Sequence, residues 1–192
     1  MNVLIHFKKQ QLEAFLKLLI LENEKFIKKD FNLDKSLMIL LNDVQEYYRK
    51  IGESTEEGNV SQLKTHLDIA VSGIDPVKLE RVKTRRRDIV KIACYHCLSS
   101  LNQTLENSLV QVKNIINEAT ENINQVLLSA YQAKLITDAI IKKVDTIDKC
   151  TSLWEKLKEN EQILLLDKKL KLTILQQDIS IILDQALSKL NN

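Results

Sequence analysis

The sequence CYHC, which begins at Cys94, is the pattern in this chain that comes closest to metal-ligand spacing. It places Cys94 and Cys97 one helical turn apart, with His96 between them. A zinc site needs four ligands, usually two such pairs, and the sequence has no second CxxC or HxxxH pair, so His66 and Cys150 are the imaginable completions. A redox CxxC belongs at a helix start beside a strand. We therefore interpret both cysteines as small buried thiols, and we expect no metal and no cofactor.

Motifs for catalysis are also missing from the sequence. It contains three histidines and has no GxSxG, no HExxH and no Gly-rich phosphate loop. A di-iron bundle would need Glu-x-x-His motifs, and none occurs. Carboxylates are plentiful, but Asp138 is the one that interrupts an apolar stretch, and its heptad position predicts a surface location. We therefore predict that the protein is not an enzyme, with no catalytic residues and no small-molecule substrate.

A basic cluster at residues 78–91 is the most specific surface feature. Seven basic residues stand here against two acidic ones, while the whole chain has a net charge of only +2. On a single helix they would form two basic stripes, whose arginine forks can pair with carboxylate or phosphate. The predicted partner-binding residues are Lys78, Arg81, Lys83, Arg85, Arg86, Arg87 and Lys91.

Several partners could meet this cluster. An acidic surface on another protein or on a second copy, a nucleic-acid backbone, anionic headgroups, and the chain's own acidic stretch ESTEE all fit its charge. No aromatic residue interleaves with the basic residues and no recognition-helix motif accompanies them, so we favour a protein partner or self-association over nucleic acid. We expect Arg85, Arg86 and Arg87 to make the contact.

The distribution of glycine and proline predicts an all-α fold. The chain has only three glycines and one proline, all in one window. Hairpin turns need residues that tolerate positive φ, so a sheet is hard to build. Apolar spacing predicts five to six helices in total. They cover about residues 8–29, 35–51, a short helix ending at Gly73, a helix starting at Pro76 that leads into a long one, a helix after Cys150, and about 162–190.

Local signals predict several helix ends. Asp34 is a candidate N-cap, and Gly52 is a candidate C-cap. The polar sequence GESTEEGN after the second helix is typical of a loop. Asp75 followed by Pro76 predicts a helix start, and so does the capping-box pattern that begins at Ser152.

A heptad pattern from about residue 98 to 148 predicts a long helix. Apolar residues also occupy flanking heptad positions, which favours an elongated bundle over a two-stranded coiled coil. The bundle contacts could lie within one chain or between chains. The segment VLLSAYQAKLITDAII, residues 126–141, is then interpreted as the buried middle of this helix, or alternatively as an element that docks on or inserts into membranes.

The sequence thus predicts one all-α domain over residues 1–192, with a three-helix part at 1–73 and a long-helix part at 75–192. No signal-peptide pattern and no apolar run near the roughly 20 residues of a membrane span occur, so we expect a cytoplasmic protein. The favoured function is a non-catalytic scaffold, adaptor or assembly component that acts through protein–protein interaction. The alternative is a membrane-active helical protein that uses residues 126–141.

Overall fold

A computed structural model of the chain describes residues 3–81 and 86–190. These residues form eight α-helices and no β-strand, so the all-α prediction is confirmed and the expected count of five to six helices is too low. The helices are α1 (Ile5–Ile27), α2 (Leu33–Ile51), α3 (Ser54–Val71), α4 (Arg86–Gln132), α5 (Asp138–Ile141), α6 (Ile147–Leu157), α7 (Glu161–Leu170) and α8 (Gln176–Leu190).

The described chain divides into two compact units. The first contains residues 10–81 and 86–110, and the second contains residues 3–9 together with 111–190. Helix α4 therefore contributes its first half to one core and its second half to the other. The expected single domain, divided near residue 74, stays a prediction.

The core of the first unit is built from one face each of α1, α2, α3 and α4. Helices α2 and α3 follow each other almost directly and pack together. Three- and four-residue spacing on each helix brings fully buried leucines inward, at Leu12, Leu37, Leu41, Leu67 and Leu101. A polar contact at this depth joins the hydroxyls of Tyr48 and Ser108 at 3.0 Å.

Trp154, the only tryptophan of the chain, is fully buried in the second unit. It lies on α6, which packs against α8. Its Nε1 donates a hydrogen bond to Asp167 at 2.8 Å, and Lys171 pairs with the same carboxylate at 2.8 Å. Burial alone would raise the pKa of Asp167, but the hydrogen bonds from Lys171 and Trp154 lower it. A buried carboxylate is acceptable here because its charge is paired.

A second buried carboxylate, Asp178, ties the amino-terminal residues to α8. Its oxygens accept the backbone N–H groups of Ile5 at 3.0 Å, His6 at 3.3 Å and Leu175 at 3.2 Å, and His6 Nδ1 lies 2.8 Å away. The Leu175 contact is the half of a capping box in which an acidic side chain reaches back over the helix start. Burial would raise the pKa of Asp178, but these hydrogen bonds lower it.

Helix α4 ends at Gln132, not near residue 148 as the heptad pattern predicted. Lys134 takes a left-handed conformation with φ +58°, the Lys134 N–H donates to Tyr131 O, and the Leu135 N–H donates to Ala130 O. This is a Schellman motif, normally made with glycine. The turn directs Ile136 into the core, where it is almost completely buried, and that burial favours ending the helix there.

The heptad register holds only as far as this turn. The predicted core positions Leu105, Val112 and Val126 are buried, whereas Ala133 and Ile147 are exposed. The segment 126–141 is therefore not the buried middle of a long helix, since it mixes buried side chains with exposed ones. None of the described helices combines the length and apolarity that crossing a bilayer requires.

Two further predictions near helix ends are wrong, and one is confirmed. Helix α2 starts at Leu33 after an Asn32 N-cap, so Asp34 lies in its first turn. Helix α3 begins at Ser54, which places most of GESTEEGN in a helix instead of a loop, and acidic residues in its first turn suit the positive end of the helix dipole. Gly52 is confirmed as the C-cap of α2, with φ +80°.

The last part of the chain, from α6 onward, is divided into three helices by two breaks. The sequence pattern left the break between α6 and α7 undecided and did not show the break between α7 and α8. Helix α6 is capped by Thr146, so Ser152 lies inside it and starts no capping box. Helix α7 begins after Asn160, whose side chain accepts the Gln162 N–H at 3.0 Å. The predicted helix 162–190 is divided at residues 171–175, where the chain turns before the Asp178 contact to Leu175.

Candidate partner-binding surface of the first unit

The predicted basic helix starting at Pro76 is wrong, because residues 74–81 form a closed turn. The carboxylate of Asp75 accepts the N–H groups of Val77 and Lys78 at 2.9 and 3.1 Å, and the Asp75 N–H donates to Glu80 O at 2.9 Å. The hydrogen bonds from the Val77 and Lys78 N–H groups lower the pKa of the Asp75 carboxyl. An Asp-Pro pair can close a turn with the same side-chain contact that starts a helix.

The turn separates the predicted basic residues into groups. Lys78 and Arg81 lie exposed on the turn, and Arg86, Arg87 and Lys91 lie exposed on the first turns of α4. The remaining two, Lys83 and Arg85, lie outside the described residues. Lys78 and Arg81 are therefore not on the helix that carries Arg86, Arg87 and Lys91. The two basic stripes expected from a single helix do not extend over residues 78–81.

Arg86 is engaged within its own unit. Its guanidinium donates to the backbone carbonyl of Val71, the last residue of α3. The same side chain runs past Gly73, where an added Cβ would lie 3.6 Å from it. Carbonyls at a helix end lack intrahelical donors, so Arg86 completes the end of α3 and holds it to the start of α4.

Arg87 and Lys91 each lie over an aromatic ring. The Arg87 guanidinium carbon is 5.7 Å from the centre of the Phe31 ring, and Lys91 Nζ is 5.8 Å from the centre of Phe26. Phe26 also contacts Tyr95, with 6.0 Å between ring centres. Since 87, 91 and 95 are four residues apart, they share one face of α4. We call these five residues the cation–aromatic cluster.

The cluster borders an open cavity of about 700 Å³. Four of the side chains lining it are basic and three are acidic: Lys29, Arg86, Arg87, Lys91, Asp30, Asp34 and Asp88. Phe31 is 83% exposed and Tyr95 is 63% exposed, so two of the three rings present large apolar area to solvent. The near balance of charge suits an occupant that combines an apolar group with a small number of carboxylates better than it suits a polyanion.

The cysteines beneath this surface do not provide a nucleophile. Cys94 lines the cavity but is buried, and burial with the nearby charge of Asp34 raises the pKa of its thiol to about 11. Cys97 is completely buried, its Sγ lies 3.4 Å from Leu63 O, and burial raises its pKa to about 12. Burial therefore favours the protonated form of both thiols, whereas the thiolate is the form that acts as a nucleophile.

His96, the histidine of the CYHC sequence, is exposed to solvent instead of buried with the cysteines. His96 and His66 are both exposed, with their ring centres 5.7 Å apart. The helix thus separates the two cysteines, which face inward, from the histidine between them. Over residues 3–81 and 86–190, no three His, Cys, Asp or Glu side chains come together in a way that could hold a metal ion.

Sequence reasoning missed the aromatic half of the cluster. Phe26 and Phe31 come from the end of α1 and from the α1–α2 connection, far from the basic residues along the chain. Tyr95 could have been found, because it follows Lys91 at helical four-residue spacing.

Searches with models of protein families, against curated proteins and against solved structures gave no match to this chain.

Proposed function

We propose that the chain is a non-catalytic protein-binding module that holds a short acidic segment of a partner protein on the cation–aromatic cluster. The observation that carries this proposal is the exposed Phe31 ring, 83% accessible, with the Arg87 guanidinium 5.7 Å from its centre. Arginine and aromatic side chains are the residues that contribute most to binding at protein interfaces.

The occupant we propose carries a carboxylate beside an apolar or aromatic side chain. The carboxylate would pair with the fork of Arg87, which presents its N–H donors in the geometry that carboxylates need. The apolar side chain would cover Phe31 and the rim of the 700 Å³ cavity. The acidic side chains Asp30, Asp34 and Asp88 at the same cavity oppose a densely charged polyanion, which supports a protein partner over nucleic acid.

Selection from a displayed random-peptide library tests the charge preference and does not require that the partner be identified first. We expect the wild-type chain to enrich peptides in which Asp or Glu adjoins an apolar residue. The variant Arg87→Glu/Lys91→Glu should lose this enrichment. The control Lys17→Glu/Lys50→Glu carries the same charge change on exposed residues outside the cluster and should keep it. Identical selections by all three proteins would contradict the proposal.

The aromatic contribution is tested with one selected peptide. We expect Phe31→Ser to weaken its binding by about 30-fold, as for the loss of an interface residue worth about 2 kcal/mol. Ile39→Ser is the matched control, because Ile39 is also exposed on the first unit, at 61%, but does not line the cavity. Equal loss in both variants would show that the effect is not specific to the cluster.

A further inference from the structure

The end of α4 and the residues after it expose an apolar surface in the second unit. Four large side chains contribute to it: Leu128 (60% exposed), Tyr131 (46%), Leu135 (51%) and Ile140 (38%). They come from the last turns of α4, the Schellman turn and α5. The turn at Lys134 creates this surface, because it leaves Leu135 outside while its neighbour Ile136 enters the core.

Three exposed lysines border these side chains. They are Lys134 within the turn and Lys142 and Lys143 directly after α5. Among the described residues, no carboxylate lies within ion-pair distance of any of the three. We call the four apolar side chains and these lysines the apolar–lysine surface.

Two cavities show that six of the seven side chains of this surface are adjacent, and the seventh, Lys134, precedes Leu135 in the chain. Leu135, Ile140 and Lys143 line a cavity of about 1050 Å³, and Leu128 and Tyr131 line one of about 690 Å³. Lys142 lines both. Asp138 accepts the Tyr131 hydroxyl at 3.0 Å, and Asp145 pairs with Lys149 at 2.6 Å. With Glu159, these are the three acidic residues that line the two cavities, and the five lysines that line them outnumber them: Lys142, Lys143, Lys149, Lys156 and Lys189.

We propose that the apolar–lysine surface docks on an anionic phospholipid membrane. Exposed leucine, isoleucine and tyrosine side chains enter the boundary between headgroups and acyl chains, while the three lysines meet the anionic headgroups. The exposed apolar side chains lie on three consecutive segments and are divided between two cavities instead of lining one helix-sized groove, which favours a lipid surface over a bound helix. Docking is peripheral, because no described helix can cross the bilayer.

Vesicle flotation of the full-length chain tests this proposal. We expect binding to vesicles of phosphatidylcholine with 30% phosphatidylserine, at least about tenfold weaker binding to phosphatidylcholine alone, and weaker binding in high salt. Lys142→Glu/Lys143→Glu should reduce binding to the anionic vesicles by at least about tenfold, since each lysine near such a surface is worth about fivefold. Lys113→Glu/Lys168→Glu is the control, with two exposed lysines of the same unit exchanged.

The apolar contribution has its own pair of variants. Leu135→Ser/Ile140→Ser should also reduce binding, whereas Leu165→Ser/Leu172→Ser should not, because Leu165 and Leu172 are exposed elsewhere in the unit. Unchanged fluorescence of the buried Trp154 confirms that each variant is folded.

Three results would overturn docking on this surface, and a fourth, given last, would overturn its peripheral mode. The first is failure of the wild-type chain to float with anionic vesicles, including the case in which it instead binds an acidic amphipathic peptide through Lys142 and Lys143. The second is equal binding by the lysine variant and its control. The third is loss of vesicle binding in Arg87→Glu/Lys91→Glu, which would assign the effect to the first unit. Release of a trapped dye would contradict peripheral docking.

Discussion

Replacing Asp178 with alanine should destabilise the second unit more than any surface change in it. Asp178 is completely buried, and its carboxylate accepts backbone N–H groups of Ile5, His6 and Leu175 at 3.0 to 3.3 Å. The first two belong to the start of α1 and the third to the start of α8. Alanine removes the acceptor for all three donors at once.

The magnitude follows from those contacts. A hydrogen bond to a charged group contributes about 1.5–3 kcal/mol, and a buried donor left without an acceptor carries its full desolvation cost. Ile5 is itself buried, so water does not readily replace the lost acceptor at its N–H. We expect Asp178→Ala to lower the free energy of unfolding of the second unit by about 3–4 kcal/mol. Asp178→Asn should cost roughly half as much, because an amide oxygen still accepts.

Trp154 makes the assay specific to the second unit. It is the only tryptophan and is completely buried there, so its fluorescence reports unfolding of that unit, while circular dichroism reports both. In urea, a denaturant dependence of about 1 kcal/mol/M converts the loss into a midpoint about 3 M lower. The Asp148→Asn variant, at an exposed position in α6, should leave the stability within about 0.5 kcal/mol of wild type.

The pH dependence gives a second, independent check. Hydrogen bonding holds the pKa of Asp178 below its usual value in the folded protein. The stability it contributes is therefore fully present above about pH 4, the unfolded pKa, and is lost as the pH falls through the lower folded pKa. The difference in stability between wild type and Asp178→Asn should shrink over that acid range. A wild-type midpoint in Asp178→Ala at pH 7, or a difference that grows on acidification, would refute the reasoning.

Three smaller predictions concern hydroxyls, glycines and thiols. Tyr48→Phe should cost about 1 kcal/mol in urea denaturation because it removes a buried hydrogen bond, whereas Tyr47→Phe should be neutral or stabilising, since the buried Tyr47 hydroxyl has no partner among the described residues. Gly58→Ala, within α3, should raise the free energy of unfolding by about 0.5 kcal/mol. Gly52→Ala should lower it by about 1 kcal/mol, because Gly52 has a φ of +80°. Urea denaturation measures both changes. Cys97, whose pKa burial raises to about 12, should not react with a thiol reagent at pH 8 until urea unfolds the chain.

The helix ends show how far sequence reasoning reaches in this fold. Gly52 was found as a C-cap because glycine is the residue that takes positive φ without strain. Lys134 takes the same conformation, with φ +58°, and gives no such signal. A left-handed lysine costs about 1–2 kcal/mol and forms only when tertiary packing compensates for it. Here the compensation is the burial of Ile136, which no local pattern contains.

The heptad pattern failed for the same reason. It correctly marked Leu98 through Ala130 as one apolar face, because a continuous helix keeps that register. Beyond Ala130 the residue types still fit the pattern, but Ala133 and Ile147 are exposed. Residue spacing shows which side chains a helix would bury if it continued. Whether the helix continues depends on which side chains become buried when it ends in a turn.

The residues of the candidate surface also differ in whether the sequence alone could identify them. Arg87 and Lys91 could be named from the sequence because they belong to a local run of charge. Phe31 could not, because it follows α1 in a connection whose position depends on the packing of α1, α2 and α4 in the first unit. Arg86 looks equivalent to Arg87 in the sequence, yet its guanidinium is held by the Val71 carbonyl. A charged run therefore identifies the cations available to a partner, and the fold determines which of them remain available for binding.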